Sequence, residues 1–92
     1  SVMVQSSLAV LMTFAGFYVG INRYEWMMQI LIFGLVLGIE GLNTAVEKIA
    51  DFIHPDFHER IGFIKDIAAG AVFFAALTAI VIGCIIYFPY LF

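Results

Sequence analysis

The chain has 92 residues, 64% of them apolar and 12% charged, with a formal net charge of −3. That length allows one small domain, and a soluble body of this size needs a polar surface that the composition cannot supply. The excess apolar surface must face lipid or partner chains, and without a basic run interleaved with aromatics there is no footprint for nucleic-acid binding.

The first apolar run covers residues 8–21, and residues 2–7 extend it to the length of a span. A helix needs about 20 apolar residues to cross the hydrocarbon core, so helix 1 is expected over about residues 2–21. There is no basic leader region and no small-residue cleavage site after a short apolar core, so this run is expected to be a retained span. Asn22-Arg23-Tyr24-Glu25 interrupts it.

Helix 2 is expected over about residues 26–53. It stays apolar to Ile39, and polar residues then recur at helical spacing through Asp51. It fits a span only if its far end leaves the membrane as an amphipathic extension. His54-Pro55-Asp56 should end it, because proline has no N–H and restricts the residue before it. Helix 3 is expected over about residues 63–88, and its core, residues 67–88, carries no charge. Membrane strands would show alternating polarity, which is absent here. Helices satisfy their own backbone groups in lipid. The expected fold is all-α: an integral membrane protein with three transmembrane helices in a single transmembrane domain.

Basic residues set the orientation. The first connection carries Arg23, whereas the second carries Lys48, Arg60 and Lys65. The positive-inside tendency places the second connection and the N-terminus in the cytoplasm. Trp26, Tyr87 and Tyr90 suit the opposite interface. Gly16-x-x-x-Gly20 and Gly34-x-x-x-Gly38 are glycine pairs one turn apart, and Ala68, Ala71 and Ala75 add small side chains to helix 3. Such pairs let helices approach closely, although both residue types are common in membrane helices anyway. Three thin helices hardly shield a polar site, so an oligomer is expected. Cys84 lies in an apolar stretch, where its thiol stays protonated and structural.

The informative stretch is residues 40–51. At about 100° per residue, Glu40, Asn43, Glu47 and Asp51 share one stripe about 80° wide, rising roughly 16 Å. Three carboxylates and an amide on a helix that begins in lipid are costly, and like charges on one face repel. A solvated face of an emerging helix accounts for Lys48 and Asp51. It accounts poorly for Glu40, which fourteen uncharged residues precede.

A second cluster, Asp56, His58, Glu59, Arg60, Lys65 and Asp66, lies beyond the proline break. Singly, these residues read as solvated or snorkelling side chains. Together with the carboxylate stripe they are the equipment for phosphoryl transfer, since carboxylates hold a hard divalent cation and lysine neutralises phosphate. The chain lacks the glycine-rich phosphate loop, the protein-kinase motifs and the His-Glu-x-x-His zinc pattern.

Glu40-x-x-Asn43-Thr44-Ala45-x-Glu47-x-x-x-Asp51, followed by Lys65-Asp66-Ile67-Ala68-Ala69-Gly70-Ala71-Val72, resembles the two signature blocks of the prokaryotic diacylglycerol kinases. That family includes undecaprenol kinases, and the resemblance runs from about Leu8 onward. It implies a homotrimer of three-helix subunits in the bacterial inner membrane, with composite sites between subunits. The implied activity is ATP- and Mg2+-dependent phosphorylation of a membrane lipid hydroxyl. Glu40 matches the general base on the lipid hydroxyl, and Glu47 a metal-binding carboxylate that also serves the nucleotide. Asn43 lies between them, placed to orient the acceptor or a phosphate oxygen, and Ala69 matches a position near the lipid acceptor. Asp51, Asp56, Phe57, His58, Lys65 and Asp66 fall among the nucleotide contacts.

Family members also carry an arginine- and aromatic-rich surface helix before the first span, and a further metal-binding glutamate at its start. Residues 1–7 contain no charge, so on this sequence the metal site is expected to be incomplete. Two other readings of the polar stripe are a non-catalytic membrane subunit or inactive family member, in which it is structural, and an ion or proton pathway. The pathway lacks a charged partner in the third span.

Overall fold

The computed structural model describes residues 2–56 and 58–92, which form three helices joined by short connections. These are α1 (Val2–Val19), α2 (Arg23–Ile53) and α3 (Glu59–Leu91). No strand occurs among the described residues. The helices run up, down and up in a rod of 50 × 18 × 17 Å. The central helix, α2, packs along both neighbours and more extensively on α3. At 1.5 Å per residue, α2 and α3 are roughly 46 and 50 Å long, well beyond the ~30 Å hydrocarbon core. Both are apolar enough to cross a membrane, and α1 is a shorter apolar helix.

Local chemistry sets helix boundaries that differ from the sequence expectation. Helix α1 stops at Val19 because Gly20 takes φ +79, a left-handed conformation that suits glycine. The Gly20 and Ile21 N–H groups both return to the Gly16 carbonyl, at 2.9 and 3.1 Å. Helix α2 starts at Arg23, three residues earlier than its apolar run, because Asn22 and Glu25 form a capping box. Asn22 Oδ1 accepts from the Glu25 N–H at 2.9 Å, and Glu25 Oε1 accepts from the Asn22 N–H at 3.0 Å, so two backbone donors at the helix start are satisfied. Helix α3 likewise starts at Glu59, where His58 caps it. It continues through Pro89, and the Phe92 N–H still finds the Phe88 carbonyl at 2.8 Å.

The interior is small. Ile21, Ile86 and Tyr87 form one buried cluster, and Ile32, Val36 and Ala75 form another. Large apolar side chains such as Phe14, Phe17, Phe73, Phe74 and Ile80 point outward. So much exposed apolar surface marks contact with lipid or other chains.

One polar node ties the three helices together. Gln29, 3% exposed, donates from Nε2 to the Met12 carbonyl at 3.0 Å, and its Oε1 accepts from the Tyr87 hydroxyl at 2.6 Å. Tyr87 Oη also lies 3.2 Å from the Met12 carbonyl. Nearby, the Tyr90 hydroxyl donates to Glu25 Oε1 and pins the end of α3 to the start of α2.

The glycine pairs divide by role. A methyl group at Gly16 would lie 2.7 Å from the Trp26 ring, so this glycine makes room for an indole of its own chain. A methyl group at Gly34 or Gly38 would meet nothing within 4 Å among the described residues, and both glycines are exposed.

Candidate active site at one end of the bundle

The polar stripe of α2 begins with Glu40, which is 9% exposed although it carries a carboxylate. Burial of a carboxylate is costly and needs a compensating interaction. Its backbone carbonyl also accepts from the Thr44 hydroxyl at 3.1 Å. One turn on, half-buried Asn43 donates from Nδ2 to Glu47 Oε1 at 3.3 Å, while its Oδ1 is buried without a partner among the described residues. Glu47 and Asp51 are exposed. Asp51 Oδ1 holds Lys65 Nζ at 2.5 Å, joining α2 to α3. With side chains 37% and 60% exposed, the pair is worth little to stability. It does fix where the ammonium sits.

The turn between α2 and α3 closes this end. His54 caps α2 with its N–H on the Ala50 carbonyl at 2.9 Å. Its Nδ1 lies 2.7 Å from the Asp56 carbonyl. His58 Nδ1 accepts the Arg60 N–H at 3.1 Å. Together with Pro55, Ile61 and Gly62, the side chains of His54, Asp56, His58 and Lys65 line a pocket of 240 Å3. Three of the expected nucleotide contacts, Asp56, His58 and Lys65, are therefore brought together. Asp66 is exposed beside them, and Phe57 lies outside the described residues.

A second, mostly apolar groove of 310 Å3 runs between α2 and α3, with Asn43 on its wall beside Leu42, Val46, Ile64, Ala68 and Ala71. Ala69 is exposed and not part of that wall. The lining residue is its neighbour Ala68, because consecutive helical residues point about 100° apart. Among the described residues no three His, Cys, Asp or Glu side chains form a metal-binding group. Glu47, exposed and steadied by Asn43, fits the lesser demand of magnesium, which takes one or two carboxylates and fills its other positions with phosphate oxygens and water.

Gln29, Tyr87 and His54 were not singled out from the sequence. Gln29 did leave a signal, since it is the sole polar side chain in residues 26–39. In sequence, Tyr87 shows only the signal of an interfacial ring, and His54 only that of a helix break.

Two helices long and apolar enough to cross a membrane, with ionisable groups gathered at one end and one buried glutamate further in, are the pattern of a membrane-associated helical bundle. The family model for prokaryotic diacylglycerol kinase matches residues 1–87. Undecaprenol kinase of Bacillus subtilis is 39% identical over 74 residues, covering 80% of this chain and 60% of that relative. Diacylglycerol kinase of Haemophilus influenzae is 37% identical over 73 residues, covering 78% and 62%. That of Escherichia coli is 38% identical over 52 residues, covering 56% and 43%. The chain belongs to the prokaryotic diacylglycerol kinase family. It spans less than two thirds of the length of these relatives.

Proposed function

We propose that this protein is an ATP- and Mg2+-dependent lipid kinase that phosphorylates the hydroxyl of a membrane lipid such as diacylglycerol or undecaprenol. The observation that carries the reading is the buried carboxylate of Glu40. It stands inward of the Asn43–Glu47 pair on the helix whose far end meets Lys65. An ionisable side chain buried within an apolar helical bundle is a functional feature by default, and family membership supplies the reaction.

The chemistry follows from the order of groups along α2. Glu40, buried about one turn inward of Asn43 and outside the lining of that groove, takes the proton of a lipid hydroxyl brought to it as the oxygen attacks the γ-phosphorus. The bond from that phosphorus to the β,γ-bridging oxygen breaks and ADP leaves. Asn43 orients Glu47 and the acceptor. Lys65, in the turn pocket with Asp56 and His58, neutralises phosphate charge. Phosphoryl transfer depends mainly on such positioning and neutralisation. Glu47 is the residue that would hold magnesium, which when bound would supply neutralisation of phosphate charge. Glu40 lies roughly 10 Å along the helix from Glu47, which separates a lipid entry from a nucleotide entry.

The proposal includes three spans per subunit, with α1 crossing the bilayer at a length of about 27 Å. It includes a homotrimer in the bacterial inner membrane, with the N-terminus and the α2–α3 turn in the cytoplasm. The open faces at Gly34 and Gly38 are available for subunit packing. The test is Glu40→Gln in purified protein, assayed with labelled ATP, magnesium and each lipid in turn. Turnover should fall by about a hundredfold to ten-thousandfold, the usual contribution of a general base, with magnesium–ATP binding retained. Unchanged turnover would remove Glu40 as the base, and absence of ATP binding by the unsubstituted protein would favour a structural stripe.

A further inference from the structure

The turn pocket contains a histidine to which the family signature gives no role. We propose that His54 is a positioning residue for the nucleotide, acting through the Asp56 carbonyl. This inference rests on the lipid-kinase reading and deepens it at the nucleotide end.

A carbonyl oxygen can only accept, so the 2.7 Å contact between His54 Nδ1 and the Asp56 carbonyl places a proton on His54 Nδ1. His58 has the opposite arrangement: its Nδ1 accepts the Arg60 N–H, so its ring proton sits on Nε2. The two rings stand 5.0 Å apart, tilted by 55°. Both His54 and His58 line the pocket with Lys65.

The pocket has two kinds of wall. One is the first turns of α3, carrying Ile61, Gly62 and Lys65, and is held by the helix ladder and by Asp51. The other is the turn that carries Pro55 and Asp56. Pro55 has no N–H to tie that turn down. The His54 imidazole supplies the missing closure by reaching across Pro55 to the carbonyl of Asp56. The same residue is anchored at its backbone, where its N–H holds the Ala50 carbonyl. Among the described residues, the His54–Asp56 contact is the side-chain hydrogen bond that closes this side of the pocket.

Without that bond the turn must be ordered when the nucleotide arrives, so binding weakens. The chemical step should be spared, because His54 is about 20 Å along the helix path from Glu40. The role therefore appears as a split between KM and kcat.

The experiment compares unsubstituted protein, His54→Ala and His54→Asn in ATP-dependent lipid phosphorylation at saturating magnesium. His54→Ala should raise KM for ATP about tenfold, as expected for one lost hydrogen bond of ordinary strength. The kcat value and KM for the lipid should stay near their original values. Asparagine can present an amide N–H close to where Nδ1–H stood, so His54→Asn should recover most of the loss. An unchanged KM for ATP in His54→Ala overturns the inference while leaving the kinase reading intact. So does a fall in kcat without a KM effect, or a failure of asparagine to rescue. An unsubstituted protein that neither binds nor turns over ATP overturns both.

Discussion

Asn43 shows how much one amide decides in this stripe. Its Nδ2 holds Glu47 Oε1 at 3.3 Å, and its buried Oδ1 has no partner among the described residues. On the proposed role of Glu47, removing the group that orients a metal-holding carboxylate typically costs about 10- to 100-fold in metal affinity. Asn43→Leu should therefore raise the magnesium concentration for half-maximal activity by about tenfold or more, measured by magnesium titration at fixed ATP. An unaltered magnesium requirement would detach Asn43 from Glu47 function. At this scale the sequence was informative, because Glu40, Asn43, Glu47 and Asp51 stand out as polar residues at helical spacing in an apolar chain. It did not reveal that Lys65 pairs with Asp51. That pairing brings together residues 14 positions apart, and it depends on how α3 folds back on α2.

The helices are held by unequal devices. Contacts between α2 and α3 are extensive, whereas α1 is joined more sparsely, so the node of Met12, Gln29 and Tyr87 matters to its docking. Tyr87→Phe removes the donor to Gln29 and leaves a buried amide oxygen short of a partner. Hydrogen bonds of this kind between membrane helices average about 0.6 kcal/mol and reach about 1.7. Unfolding in mixed detergent should show a loss in that range, with KM for ATP unchanged. Adding Gln29→Leu should recover part of the loss, because removing both polar partners costs less than orphaning one. A larger loss in the double variant would mean that the Gln29 contact to Met12 dominates. Periodicity placed the three helices, but their ends needed the chemistry of Asn22, Glu25, Gly20 and His58. A scan for apolar length misses those ends because caps are polar residues outside the apolar run.

The whole molecule is a rod with its apolar side chains outward and its ionisable groups concentrated at the α2–α3 turn. Such an exterior is stable only in lipid or against other copies. If the turn is cytoplasmic, a membrane-impermeant maleimide added to intact cells should label Tyr24→Cys and not Glu59→Cys, in a Cys84→Ala background. Labelling of Glu59→Cys from outside would invert the proposed orientation and put the pocket on the side without ATP.

Composition and apolar run length were enough to determine an all-helical chain suited to a membrane, because lipid leaves the backbone few other ways to satisfy its hydrogen bonds. Residue spacing alone also marked Glu40 and its stripe as costly to place in an apolar helix. Only the tertiary structure decided which side chains meet: Gln29 with Met12 and Tyr87, Asp51 with Lys65, and His54, Asp56 and His58 around one pocket. The helical encounters depend on the relative register and rotation of α1, α2 and α3, and the pocket on the path of the turn between α2 and α3. Neither is encoded by the periodicity of any single helix.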